Sequence, residues 1–151
     1  MLDHTDLRIL DILQRNARLP NQDIAAMIGK STSRVFERVR RLKHGGFIRH
    51  VVAVLDPKLI NKSLIVYALI RLKEHSKTML LTFEKEMSGI DEVMEAYHMS
   101  GDCDFMLKIA VADMEGYNEF LVKRLSDFSE IRNIKSLFVM KELKMESVYH
   151  L

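Results

Sequence analysis

The run "GKSTSRVFERVRRLKHGG", Gly29 to Gly46, carries chemistry in its spacing. Arg34, Glu37, Arg38 and Arg41 fall at i, i+3, i+4 and i+7 of a helix that starts after Ser31, with Val35, Val39 and Leu42 on the opposite face. That chemistry is anion recognition: a guanidinium is a planar fork that pairs with guanine edges or grips phosphate oxygens. Thr32, Ser33 and Arg34 fill the first turn, where a reading helix meets base edges and where free backbone N–H groups also favour a phosphate. Between Lys30 and Arg49 seven Lys and Arg stand against one acidic residue, Glu37, so the surface is one-signed. Charge runs commonly form nothing more than a solvated face. The elements that precede this run and its contrast with the rest of the chain favour DNA.

A second stretch, "HMSGDCDFML", has the makings of a small-molecule site. Gly101 can adopt positive φ or let a ligand approach its backbone closely. Asp104 can accept from an α-ammonium, and free N–H groups of a turn through Asp102 and Cys103 can receive an α-carboxylate. An ordinary tight hairpin has the same pattern. His98 lies close enough in sequence to sense ligand or pH, although packing roles are commoner for such a residue. Cys103 as a nucleophile would need a base and a supporting third group, and the sequence offers no such set. The six histidines, His4, His44, His50, His75, His98 and His150, lack the pairing of a zinc site, so no metal is expected. No phosphate-binding glycine loop occurs, and no cofactor is expected. The ten methionines, Met27, Met79, Met87 and Met106 among them, read as adaptable core.

The elements that must position these residues follow from periodicity. "LDHTDLRILDILQRNAR" predicts a helix capped by Asp3 with Leu7, Leu10, Leu13 and Ala17 inward. "NQDIAAMIG" predicts a short helix with Asn21 as cap, Ile24, Ala25 and Ile28 inward, and Gly29 as terminator. The basic helix comes next, capped by Ser31 and ended by Gly45 and Gly46. A short helix, a turn holding one glycine and a second helix make a helix-turn-helix. "FIRHVVAVLD" is β-rich, and Asp56-Pro57 marks a turn and linker.

Beyond the linker one unit repeats. "SLIVYALIRLK", "KTMLLTFEKEMSG" and "DEVMEAYHMSG" read as strand, helix and strand, with Met79, Leu80, Phe83 and Met87 inward. "DFMLKIAVA", "MEGYNEFLVKRLSDF" and "IRNIKSLFVMKELK" repeat that order, with Tyr117, Phe120, Leu121, Leu125 and Phe128 inward. Two βαβ units back to back predict an α+β, ferredoxin-like βαββαβ domain. The first strand is apolar on both faces: Leu64, Val66, Ala68, Ile70 and Leu72 on one, Ile65, Tyr67 and Leu69 on the other. Two helices cover one face only, so the other predicts a dimer. The division expected is 1–50 for the DNA-binding domain, 51–61 for a linker strand and turn, and 62–151 for ligand binding and oligomerisation.

Composition agrees with this plan. A chain of 151 residues holds one ordinary domain or two small ones. The net charge of +2 divides unevenly: ten Lys and Arg against five Asp and Glu in residues 1–50, thirteen against sixteen beyond. No apolar run is long enough for a membrane span, and the N-terminus lacks the plan of a signal peptide. One cysteine fits a reducing compartment, so a cytoplasmic location is expected.

The order and spacing of "LDHTDLRILDILQRNAR", "IAAMIGKSTSRVFERVRRLKHGGFI", "LDP" at Leu55–Pro57, "SGDCDFMLKIAV" and "FVMKELK" resemble the Lrp/AsnC (leucine-responsive, feast/famine) family of transcription regulators over nearly the whole length. The resemblance implies an N-terminal winged helix-turn-helix that binds double-stranded DNA, followed by a ferredoxin-like effector (RAM) domain. It also implies homodimers that assemble to tetramers or octamers, an amino acid or related metabolite as effector, and no enzymatic activity. The family's effector pocket forms around a Gly-x-x-Asp turn between effector domains, which maps onto Gly101 and Asp104. The intervening residue is often aromatic in the family and is Cys103 here, which leaves selectivity for the ligand's side chain open. Tetrapyrrole decarboxylases of the sirohaem type share a related two-domain architecture, so catalysis is the alternative; the dense arginine face argues against it.

Overall fold

In the computed structural model, which describes residues 1–146 and 148–151, the first helix is α1 (His4–Arg15). Its start is fixed by a reciprocal cap: Asp3 accepts from the Asp6 N–H at 2.8 Å, and Asp6 accepts from the Asp3 N–H at 3.2 Å. The buried line of α1 runs through Asp6 and Ile9, not through the expected Leu7 and Ala17. Leu10 and Leu13 are only half-buried, and Ala17 lies exposed beyond the end of the helix. This rotation turns the Asp6 carboxylate toward the basic helix, as described below.

Helix α2 (Asn21–Ile28) starts one residue earlier than expected, with Pro20 in the cap position and Asn21 inside the helix. A proline there already has the required φ and forgoes an N–H that the helix would leave unpaired. Gly29 ends α2 at φ +66°, and the Lys30 N–H reaches back to the Ala25 carbonyl at 3.0 Å. Helix α3 (Thr32–His44) follows after a three-residue turn, with Ser31 at its cap position but making no side-chain cap bond. Val35, Val39 and Leu42 bury against Ile9, Ile24 and Ile28, so one apolar cluster holds all three helices.

The β-rich run 47–56 forms no strand, and the wing implied for this domain is not built from it. A strand needs a neighbour to complete its ladder of hydrogen bonds. Here Val51, Val52, Val54 and Leu55 stand exposed, Val52 at 77%. The turn after it forms as predicted: Asp56 accepts from the Lys58 N–H at 2.9 Å, and the Pro57 carbonyl from the Lys62 N–H at 2.8 Å.

Residues 54–142 make a second unit. Strands β1 (Leu64–Leu72), β2 (Val93–His98), β3 (Phe105–Val111) and β4 (Ile131–Phe138) form an antiparallel sheet in the order β2-β3-β1-β4. With α4 (Lys77–Ser88) and α5 (Met114–Phe120), this is the α+β, ferredoxin-like arrangement. Val66, Ala68, Ile70 and Leu72 of β1 bury beneath Phe83 and Met87 of α4 and Tyr117 and Phe120 of α5. The last helix is shorter than its apolar spacing predicts. After Phe120 the chain passes into a π turn (Leu121–Leu125), where the Ser126 N–H bonds the Leu121 carbonyl at 2.9 Å and Leu125 enters the core.

The other sheet face keeps Ile65, Tyr67 and Leu69 half-exposed. Beside them Lys108 donates to Glu95 at 2.8 Å, and the Tyr97 hydroxyl donates to the same carboxylate at 2.8 Å. Residues 143–146 and 148–151 pack with residues 1–53. The reason is local: the Gln14 amide donates to the Tyr149 carbonyl at 2.6 Å and accepts from its N–H at 2.8 Å.

Candidate DNA and effector interfaces

Burial of Val35, Val39 and Leu42 decides which side of α3 stays open. At 100° per residue the positions opposite that stripe are Ser33, Glu37, Arg40 and His44. Glu37, Arg40, Arg41 and His44 line an open groove of about 370 Å³. The Arg40 side chain is 61% exposed and lies 3.3 Å from Glu37. His44 uses Nδ1 toward the Arg40 carbonyl at 2.8 Å, which leaves Nε2 without a partner among the described residues. Thr32, Ser33 and Arg34 are exposed at the start of the helix, as its first turn requires. Arg40 and His44 were not among the residues singled out from sequence. The signal for them is the angle measured from the apolar stripe, which places the centre of the open face about a third of a turn from Arg38.

Arg38 has a different setting. Its side chain is 31% exposed and donates to Asp3 at 2.6 Å and to Asp6 at 2.8 Å. Arg41 donates to the second oxygen of Asp6 at 2.5 Å. Asp6 is fully buried, and an isolated buried carboxylate would be strongly destabilising. Two guanidiniums from α3 supply its compensation and tie the basic helix to α1. The hydrogen bond from Arg38, followed by that from the Asp6 backbone, holds the Asp3 carboxyl below the usual range. Asp3 and then Asp6 stabilise the Arg38 cation in turn. Arg38 is therefore a tie between helices, and Arg41 divides its donors between Asp6 and the open groove.

The turn between β2 and β3 is fixed by its backbone. Asp104 donates its N–H to the Ile70 carbonyl at 2.8 Å and accepts from the Met99 N–H at 2.8 Å, so it links β1 with the end of β2. Gly101 has φ +112°, a conformation side chains disfavour, and the space where a Cβ would project is open. Asp102 is exposed and Cys103 half-buried. The Asp104 carboxylate, 16% exposed, is already bonded on both oxygens: Oδ2 accepts from the Leu72 N–H at 2.7 Å and Oδ1 from His75 Nε2 at 2.8 Å. Burial acts to raise its pKa, but the Leu72 N–H and His75 outweigh that and hold it below the usual value. His75 lies 29 residues from Asp104, a separation at which spacing carries no signal. His98 stacks on Phe105 with ring centres 4.8 Å apart, and its Nδ1 lies 3.6 Å from Glu84.

Among the described residues no group of three or more His, Cys, Asp and Glu is placed to hold a metal ion. Among these residues no helix is long and apolar enough to cross a membrane either.

Similar proteins bear on both interfaces. The AsnC-type helix-turn-helix domain matches residues 2–43, and the Lrp/AsnC ligand binding domain matches residues 65–149. The chain is 33% identical over 147 residues to the glutamate uptake regulatory protein of Zymomonas mobilis, covering 97% of this chain and 89% of that one. It is 32% identical over 146 residues to the leucine-responsive regulatory protein of Escherichia coli, with the same coverage of 97% and 89%. Among solved structures, an AsnC family transcriptional regulator from Agrobacterium tumefaciens superposes with a TM-score of 0.93 at 36% identity, covering 99% of this chain and 97% of that one. A transcriptional regulator from Neisseria meningitidis in complex with L-Met gives a TM-score of 0.93 at 27% identity, again covering 99% and 97%. A helix-turn-helix with an open basic face, a ferredoxin-like sheet with a glycine-hinged turn, and family matches across both units lead to one conclusion: the chain belongs to the Lrp/AsnC family of DNA-binding transcription regulators.

Proposed function

We propose that this regulator reads duplex DNA through the outer face of α3 and answers to an amino acid held at the turn 101–104. The reading rests chiefly on one observation: α3 buries Val35, Val39 and Leu42 and leaves Arg34, Glu37, Arg40, Arg41 and His44 on an open, mostly basic side. Thr32, Ser33 and Arg34 would approach base edges, while Arg40, Arg41 and His44 would face phosphates and fix the register. Arg38 would act through α1, holding α3 in place rather than touching DNA. The functional boundary between DNA reading and effector binding falls within 51–61.

An amino acid fits the turn because its ammonium group needs a fixed carboxylate, and Asp104 is one. The L-Met complex and the glutamate uptake regulator among the relatives support that class of effector. The half-exposed apolar face of Ile65, Tyr67 and Leu69 supports a homodimer paired through its sheets, assembling further to tetramers or octamers. We read the chain as non-catalytic and cytoplasmic, since the similar proteins named above are transcription regulators.

Selection of bound sequences from random duplex DNA, with and without each amino acid, tests both halves. An enriched palindromic site whose occupancy changes with one amino acid is expected. No enrichment would refute DNA reading by α3, and enrichment indifferent to every amino acid would refute the effector class.

A further inference from the structure

The two oxygens of Asp104 are held in unlike ways. Oδ2 accepts from the backbone N–H of Leu72, inside the sheet, at 2.7 Å. That partner cannot leave without breaking the end of β1. Oδ1 accepts from His75 Nε2 at 2.8 Å, and His75 belongs to the loop between β1 and α4, with a side chain 58% exposed. The Asp104 backbone is separately fixed by its bonds to Ile70 and Met99. The carboxylate therefore stays aimed when His75 swings away. One oxygen is structural and the other is covered by a side chain free to rotate into solvent.

We propose that His75 is a displaceable internal occupant of the effector site, holding the Asp104 oxygen that a ligand's ammonium group requires and yielding it when the effector binds. This rests on the reading of the turn 101–104 as the effector site. The exchange is nearly balanced, because one N–H donor to a carboxylate replaces another, so modest differences between ligands decide it. An exposed ion pair contributes little, which makes His75 easy to displace.

Protonation makes His75 a stronger occupant, since the imidazolium pairs with the carboxylate as a full charge. An amino acid keeps its ammonium and carboxylate charges across the same range. A pH low enough to protonate His75 therefore weakens effector binding. The other charged groups around the pair are Arg71, which acts on Asp104, and Glu74 and Lys77, which flank His75 in the chain. Lys73 is turned away to the Ser129 carbonyl. His98, 3.6 Å from Glu84, is the other histidine bordering the turn, so the test must separate the two.

Calorimetry on the full chain with L-methionine, L-leucine and L-glutamate, at about pH 7.5 and about pH 5.5, makes that separation. His75→Ala is expected to bind the active amino acid roughly two- to fivefold more tightly than the parent at the lower pH, the range an exposed pair allows. Its affinity should also change less with pH, and His75→Gln, which can still donate but cannot charge, should lose the pH dependence while keeping the parent's affinity at the higher pH. Weaker or unchanged binding by His75→Ala, with the parent's pH dependence intact, overturns the proposal and assigns the pH dependence to another group. In that case Asp104→Ala still weakens binding, and the turn survives as the site. If Asp104→Ala changes nothing, or none of the three amino acids binds the parent, the effector reading fails and the proposal falls with it.

Discussion

The two candidate interfaces are built in opposite ways. On the open side of α3 the charged side chains stay exposed, and their pairings are local or with α1: Arg40 with Glu37, Arg41 with Asp6. At the turn 101–104 the central carboxylate is bonded twice within the chain before any ligand arrives. A surface for DNA needs charge held at a defined pitch, and an amphipathic helix supplies it. A pocket for a small molecule needs one group aimed to within a fraction of an ångström, which takes contacts from several elements. Arg38 sits between these cases: it belongs to the basic helix but is bonded like a pocket residue.

The largest effect should come from Asp6. Asp6→Ala removes the bonds from Arg38 and Arg41 together with half of the α1 cap, and because both guanidiniums are left partly exposed the loss should be about 2–3 kcal/mol. Urea denaturation measures this, and a loss under about 1 kcal/mol would mean that the network is peripheral to the fold.

Arg38 and Arg40 sharpen the comparison within one helix. Arg40→Ala should weaken DNA binding by about 1–3 kcal/mol and leave the denaturation midpoint unchanged. Arg38→Ala should cost about 1–2 kcal/mol of stability, the lower part of the range for charged hydrogen bonds because the side chain is one-third exposed. Its DNA affinity should follow only the fraction folded. The reverse pattern, with Arg38→Ala folded but unable to bind, would put Arg38 back on the reading face.

At the turn, Gly101→Ala should destabilise the second unit by about 1–2 kcal/mol through its positive φ alone, since open space surrounds the position. A stability equal to that of the parent would show that the turn relaxes. The smallest effect is the pH response of Asp104. Its folded pKa lies below the usual value of 3.8, so its contribution is present above that value and is lost as pH falls through the lower folded one. Asp104→Asn should remove that part of the acid-induced loss. Identical acid unfolding of parent and variant below pH 3.8 would contradict it.

Much of this was legible in the sequence, and the reasons differ by region. Val35, Val39 and Leu42 fix the inward side of α3 because helical periodicity is strong over thirteen residues. The apolar positions of β1, α4 and α5 carried the ferredoxin-like order for the same reason. By charge alone Arg38 belongs to the open face, whereas its angle to Val35 and Leu42 puts it at the edge of the buried stripe, beside α1. The network with Asp3 and Asp6 spans 32 to 35 residues, beyond the reach of local spacing. His75 was missed for the same physical reason. The run 47–56 reads as a strand because its residues prefer one, but propensity supplies no partner for its hydrogen bonds. At α1 the expected stripe was rotated because a buried carboxylate with two guanidinium partners outweighed the apolar count.

We propose that the open face of α3, with Arg40 near its middle, carries the contact with DNA. Salt dependence of affinity for a selected duplex, measured on the parent and on Arg40→Ala, tests it most directly. Each phosphate contact contributes about −0.9 to the slope of log affinity against log salt. The parent should show a steep negative slope, and Arg40→Ala a slope shallower by about one contact with weaker binding at every salt concentration. A flat slope in the parent, or one that Arg40→Ala leaves unchanged together with the affinity, would contradict the claim and place the DNA elsewhere on the molecule.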